Sequence, residues 1–281
     1  MTRDPDVDGV TAPFNPPVAA ASLSGESDAA WARAAAPHVG AAFLGGIALD
    51  VPTRAAAREL VARDRSEFLP EDPLAFVDDQ LAALSDAPLV PGFNVRATSS
   101  APVRDAAAVC ADRDAILEVN AHCRQDEMCA AGAGESLLRD GDRLCTYVRA
   151  AAETDATVSV KVRTEVEGVD LPALSTRLAD AGADIVHVDA MDSESVVGDV
   201  AQATGAFVLA NNGVRDRDTV REYLDYGADG VSVGRPSDDP RVLERVASAV
   251  ADWFDADVSD AGNAEVAEDR PDAPTAGGSE P

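Results

Sequence analysis

At 281 residues with 46% hydrophobic side chains, the chain has the length and apolar content for one large α/β domain with polar ends. Fifty-one acidic residues against 23 basic ones leave a formal charge of −28, and every basic residue except Lys161 is an arginine. This balance excludes the basic footprint of a DNA-binding protein, and no apolar run approaches the ~18 residues of a membrane span. The acid-rich, lysine-poor composition resembles that of halophilic proteins working in molar salt, where the Debye length is about 3 Å. Four cysteines without a secretory leader predict free thiols in a reducing cytoplasm.

The first 14 residues are polar and are expected to be flexible. Beyond them, short Val/Ile/Ala/Leu runs alternate with amphipathic stretches. The strand candidates are PVAAAS (17–22), GAAFLGGI (40–47), PLVPGFNV (88–95), AILEVN (115–120), TVSVKVR (157–163), DIVHVD (184–189), AFVLAN (206–211) and DGVSVG (229–234). Helical patterns follow most of them, among them GESLLRDGDRLCTYVRAAAE after the fourth and PRVLERVASAVADWF after the eighth. Eight such units predict a parallel (β/α)8 barrel over residues 15–254. The third strand is the weakest, because Pro91 and Gly92 interrupt it. Residues 255–281 hold few large apolar groups and are expected to form a disordered acidic tail.

Chemistry on such a barrel gathers at the C-terminal ends of the strands. Those positions carry Asn94, then Asn120 with His122 and Cys123, Lys161 with Arg163, His187 with Asp189, Asn211 with Asn212 and Gly213, and Gly234 with Arg235. Alternation in SVKVRT turns Lys161 into the barrel if Val160 and Val162 face the helices. A buried ammonium needs an anionic partner, either a ligand or a barrel carboxylate such as Glu118 or Asp189. Cys123, with polar neighbours, is a candidate reactive thiol, against the alternative of a small buried hydrophobe. A zinc site at His122, Cys123 and Cys129 lacks the second short-spaced pair that tetrahedral zinc takes, so no metal is expected. Cys110 and Cys145 fall within helical patterns as packing residues.

VNAHC followed by GAG, SVKVRT, VHVD and LANNGVRDRDTVREYLDYGADGVSVGR together resemble the flavin-dependent tRNA-dihydrouridine synthases, in an archaeal, barrel-only form, over residues 17–254. The resemblance implies FMN, with NADPH or NADH as electron donor and tRNA as partner. It implies that Gly213, Gly234 and Arg235, with Asn211 and Asn212, bind the flavin phosphate, and that Lys161 stabilises the reduced flavin. Asn94 stands where the family has a Gln that hydrogen-bonds the ring, and His187 is implied to contact the flavin or its phosphate. Cys123 is implied as the general acid that protonates C5 of a uracil ring, with Asn120 and Arg163 binding the substrate.

The sequence departs from the family around the substrate. His122 and Arg124 flank the cysteine where the family has Gly and Pro, RQDEMCAA replaces a lysine-rich loop, and Asp189 stands where an arginine is expected. After the last barrel helix an acidic tail takes the place of the RNA-gripping helical domain. A free pyrimidine or dihydroorotate-like substrate is therefore the alternative to tRNA, and a flavin- or phosphate-binding barrel without catalysis is the third reading.

Overall fold

Strands β1 (Val18–Ala20), β2 (Ala41–Ala48), β3 (Val90–Arg96), β4 (Ile116–Asn120), β5 (Thr157–Arg163), β6 (Ile185–Asp189), β7 (Phe207–Asn211) and β8 (Gly230–Val233) pair in sequential order and close into a parallel barrel. The structure, a computed structural model, describes residues 12–268, with side chains described to residue 256. The strands read as near-continuous apolar runs because both faces are covered. Val158, Val160 and Val162 of β5 pack outward among helix residues such as Leu144, Val148 and Leu178. The inward positions of the lower barrel hold a separate plug that includes Ala19, Ala41, Phe43, Ile116, Ile185, Phe207 and Leu209. Phe14 closes its base, 5.5 Å from the ring of Phe207.

Pro91 does not break β3. Pairing with β4 begins one residue later, at Gly92↔Ile116, so the proline meets no ladder partner on that side. Gly92 is required by packing, since a Cβ there would lie 2.6 Å from Phe43 Cδ1.

The segment after β4 differs from its sequence reading. RQDEMCAA, read as loop, contains the helix Asp126–Ala131, and the helical pattern starting at Gly134 is split into Ser136–Arg139 and Gly141–Ala152. Asp140 makes the break: its non-helical backbone ends the first piece and its carboxylate accepts the Arg143 N–H of the second. The final helix, Pro240–Glu268, runs past residue 254, where the tail was expected to start, and residues 269–281 of that tail lie outside the described residues. No helix among the described residues is long and apolar enough to cross a membrane.

Candidate active site

Above the apolar plug, the inward-facing positions turn polar. Glu118 of β4 is fully buried and accepts three hydrogen bonds: from Asn94 Nδ2 at 2.7 Å, from Ser159 Oγ at 3.1 Å and from His187 Nδ1 at 2.6 Å. Burial works against its charge, but His187, Lys161 and the Asn94 amide together hold its pKa below the ordinary carboxylate value. His187 reaches Ser232 Oγ at 2.8 Å through Nε2, and Asn211 Nδ2 meets the same hydroxyl at 2.7 Å. Burial and the charge of Lys161 keep the His187 imidazole below its usual pKa. A neutral ring donating from Nδ1 to Glu118 and accepting at Nε2 from Ser232 satisfies both contacts.

Lys161 sits beside this floor, paired in register with Asn120 on one side and His187 on the other. Burial lowers its pKa, opposed by Glu118 and Asp189, the two carboxylates the sequence offered as partners. The side chain points into the barrel, as the alternation of β5 requires.

The thiol loop rests on the floor through Asn120. Asn120 Nδ2 donates to Asn94 Oδ1 at 2.8 Å, while its own Oδ1 accepts the Cys123 backbone N–H at 3.1 Å. From above, the GAG segment clamps the same residue: Glu135 N–H donates to Cys123 O at 2.9 Å. Gly134 has φ of +60°, and a Cβ there would lie 2.3 Å from Cys123 O. Only glycine fits this approach. Glu135 then binds Arg163 Nη1 at 2.7 Å.

Two adjoining cavities open at this mouth. One, of about 450 Å³, is lined by Lys161, Asn211, Asn212, Gly213, Gly234 and Arg235, among others. The other, of about 270 Å³, is lined by Cys123, Arg163 and four further arginines. His122, Asp189, Asn212 and Arg235 border both, so the two form one cleft. Burial, together with the charges of Lys161, Arg96 and Arg163, pushes the His122 pKa well below the usual value. In the larger cavity Asn212 and Gly213 adopt left-handed backbone in succession, and Tyr223 Oη donates to Asn212 O at 2.8 Å. The N–H groups of Gly213 and Val214 find no acceptor among the described residues.

Of the residues singled out in the sequence, Cys123, Arg163, Lys161, Asn211, Asn212, Gly213, Gly234 and Arg235 line the cleft. Asn94, Asn120 and His187 form the hydrogen-bonded floor beneath it and line neither cavity. Arg96 and Glu67 escaped the sequence reading. Arg96, 2% exposed, binds Glu67 Oε2 at 2.7 Å and also contacts Ser24 Oγ. Arg96 lies two residues past Asn94 on the same inward face, and that spacing was the available signal. Glu67 comes from the connection after helix Val51–Val61 and carries no local signature. All four cysteines are free. Among the described residues, no group of three or more His, Cys, Asp or Glu is placed to hold a metal ion.

Comparison with known proteins agrees with the barrel fold. An uncharacterized protein of Methanocaldococcus jannaschii is 25% identical over 231 residues, covering 78% of this chain and 88% of its own length. The structure of morphinone reductase in complex with tetrahydroNAD superposes with a TM-score of 0.60 at 14% identity, covering 83% of this chain and 88% of that one. A mutant of FabK from Thermotoga maritima gives 0.54 at 15% identity, covering 86% of this chain, which spans 65% of that structure. These two likenesses show the shared barrel. The sequence profile of the dihydrouridine synthase (Dus) family matches residues 93–270, more than half of the chain and the whole span from Asn94 to Arg235. The chain belongs to the dihydrouridine synthase family.

Proposed function

We propose that this protein is an FMN-dependent oxidoreductase that reduces the C5–C6 double bond of a uracil ring, with Cys123 as general acid. The observation that carries the reading is the single cleft with Cys123 in one lobe and Lys161 in the other.

The residues present fit the cofactor. The N–H groups of Gly213 and Val214, which line the larger lobe and have no acceptor among the described residues, are donors a phosphate could use, and a Cβ at Gly234 would meet no protein atom within 4 Å, so the backbone there borders open cavity. Arg235 supplies a counter-charge, and Lys161 supplies a cation for the electron-rich edge of the ring. When bound, reduced FMN supplies the hydride for C6. The Cys123 thiol gives its proton to C5, and the thiolate left behind is neutralised by a proton from solvent, so the ring gains one hydride and one proton. Asn120 and Gly134 fix where that thiol stands. A reduced nicotinamide, NADPH or NADH, restores the electrons.

Membership of the family supports a uridine of tRNA as the carrier of the ring. A free pyrimidine is the second reading, favoured by the small volume of the lobe around Cys123 and by the acidic residues Asp126 and Glu127 directly after it. The test is reconstitution of purified protein with FMN in concentrated KCl, followed by reoxidation of the reduced flavin on adding a tRNA transcript or free uridine. Turnover that disappears in Cys123→Ala while the flavin spectrum is retained supports the reading. A protein that takes up no FMN sinks it.

A further inference from the structure

The lobe around Cys123 is lined by Arg65, Arg96, Arg124, Arg163 and Arg235. Two of these are neutralised inside the fold, Arg96 by Glu67 and Arg163 by Glu135. Arg65, Arg124 and Arg235 are exposed and have no ion-pair partner among the described residues. In a chain with 51 carboxylates and 23 basic residues, three unpaired guanidiniums converging on one cavity of about 270 Å³ is against the local odds of charge. They come from three different connections, after β2, β4 and β8, so their meeting is a product of the fold and not of a basic run in the sequence. The buried pairs add to the case. Nε of Arg96 and Nε of Arg163 are each buried without an acceptor, so the walls hold donor capacity beyond what the protein uses.

The ground around this patch is acidic. The connections after β4, β5 and β6 carry Asp126, Glu165, Glu167 and Asp192, all exposed. A polyanion extending out of the cavity would cross that rim, whereas a compact anion would touch only the arginines. In concentrated salt this contrast is reduced to direct contact, because screening sets in within about 3 Å at 1 M, and bidentate guanidinium contacts are the kind that survive.

We propose that the lobe over Cys123 binds a small anionic pyrimidine, a uracil-type ring bearing a carboxylate or a single phosphate, with Arg65 and Arg124, which line that lobe alone, as its anion contacts and Arg235 left to the cofactor phosphate. This rests on the reading of Cys123 as the residue facing the reacting ring, and names the class of molecule that carries the ring.

The experiment measures occupancy without turnover. FMN-loaded protein in the oxidised state is treated with iodoacetamide, and alkylation of Cys123 is followed by mass spectrometry in the presence of uracil, uridine, uridine 5′-monophosphate, orotate or an unmodified tRNA transcript. The expected result is protection by the monophosphate or by orotate at concentrations at least tenfold below those needed for uridine or uracil. The one that protects better identifies phosphate or carboxylate as the anion. Arg124→Gln and Arg65→Gln, both at exposed positions without an ion-pair partner among the described residues, should each reduce that preference about tenfold and leave protection by uridine unchanged. Equal protection by neutral and anionic ligands overturns the proposal, as does protection by the tRNA transcript below the concentration of every small ligand. If Cys123→Ala also turns over normally, the underlying reading falls with it; if turnover depends on Cys123 but shows no anion preference, only the present proposal falls.

Discussion

Asn120 Oδ1 accepts the backbone N–H of Cys123 at 3.1 Å, which ties the position of the thiol to the strand that precedes it. The other end of the same amide is held by Asn94, and Asn94 by Glu118, so the thiol loop is anchored through side chains to the centre of the barrel. Asn120→Ala should therefore act in two ways. It strips Asn94 Oδ1 of its donor in a buried site, at a cost of about 1–3 kcal/mol read from urea unfolding. It also releases the Cys123 backbone, and kcat for ring reduction should fall on the order of tenfold to hundredfold, with little change in the flavin spectrum. An unchanged kcat would show that the GAG clamp alone positions the thiol.

That clamp makes its own prediction. In Gly134→Ala the new methyl would meet the Cys123 carbonyl at 2.3 Å on a backbone already at φ +60°. The clash is with backbone and cannot be relieved by a rotamer change. A loss of about 1–3 kcal/mol in stability is expected, with a changed rate of Cys123 alkylation. Gly132→Ala is the control: its φ is also positive, but a Cβ there approaches only the flexible Arg143 guanidinium, at 3.3 Å. It should cost about 1 kcal/mol and leave the thiol rate alone.

The barrel was legible in the sequence because its strands are covered on both faces and so read as mostly apolar runs, each within two residues of the observed strand at either end. Lys161 was legible for a different reason, as a lone lysine in an alternating strand. What the pattern did not convey was depth. Asn94, Asn120 and His187 stand at strand ends that promised ligand contact, yet they line neither cavity, and their polar atoms are engaged with one another and with Glu118. Arg96 escaped because it lies one residue beyond the apolar run that marked β3. The helix Asp126–Ala131 escaped because six residues with two acids in the first turn present no apolar period.

The floor also fixes how stability responds to acid. His187 and His122 both have native pKa values below the ordinary imidazole value, so the unfolded chain binds protons before the native protein does. Stability is then complete above the unfolded value of about 6.5 and declines as pH falls below it. The decline from His187 has a limiting slope of about 1.4 kcal/mol per pH unit. Glu118, whose native pKa is lowered, adds a second loss only as pH falls from the ordinary carboxylate value through its native one. His187→Asn keeps a donor for Glu118 but removes the titration. Its melting temperature should start lower at pH 8 and lose less between pH 6.5 and pH 5 than the parent's, on the order of one group's slope. Parallel pH profiles for parent and variant would count against a neutral, buried His187.

Lys161→Met separates the two tasks of the lysine. The methionine stem fills nearly the same volume, so packing is preserved while the ammonium is removed. Glu118 and Asp189 lose their shared cation, and the charge that depresses His187 disappears with it. The imidazole of His187 should therefore titrate at higher pH in the variant, followed by NMR of the ring protons, and the acid limb of the stability profile should become shallower as the native and unfolded pKa values converge. The same substitution withdraws the cation assigned to the electron-rich edge of the flavin, and the midpoint potential of the bound cofactor should become more negative. A raised His187 pKa with an unchanged potential would confine Lys161 to the electrostatics of the floor; a shift in both places its ammonium between Glu118 and the cofactor, serving each.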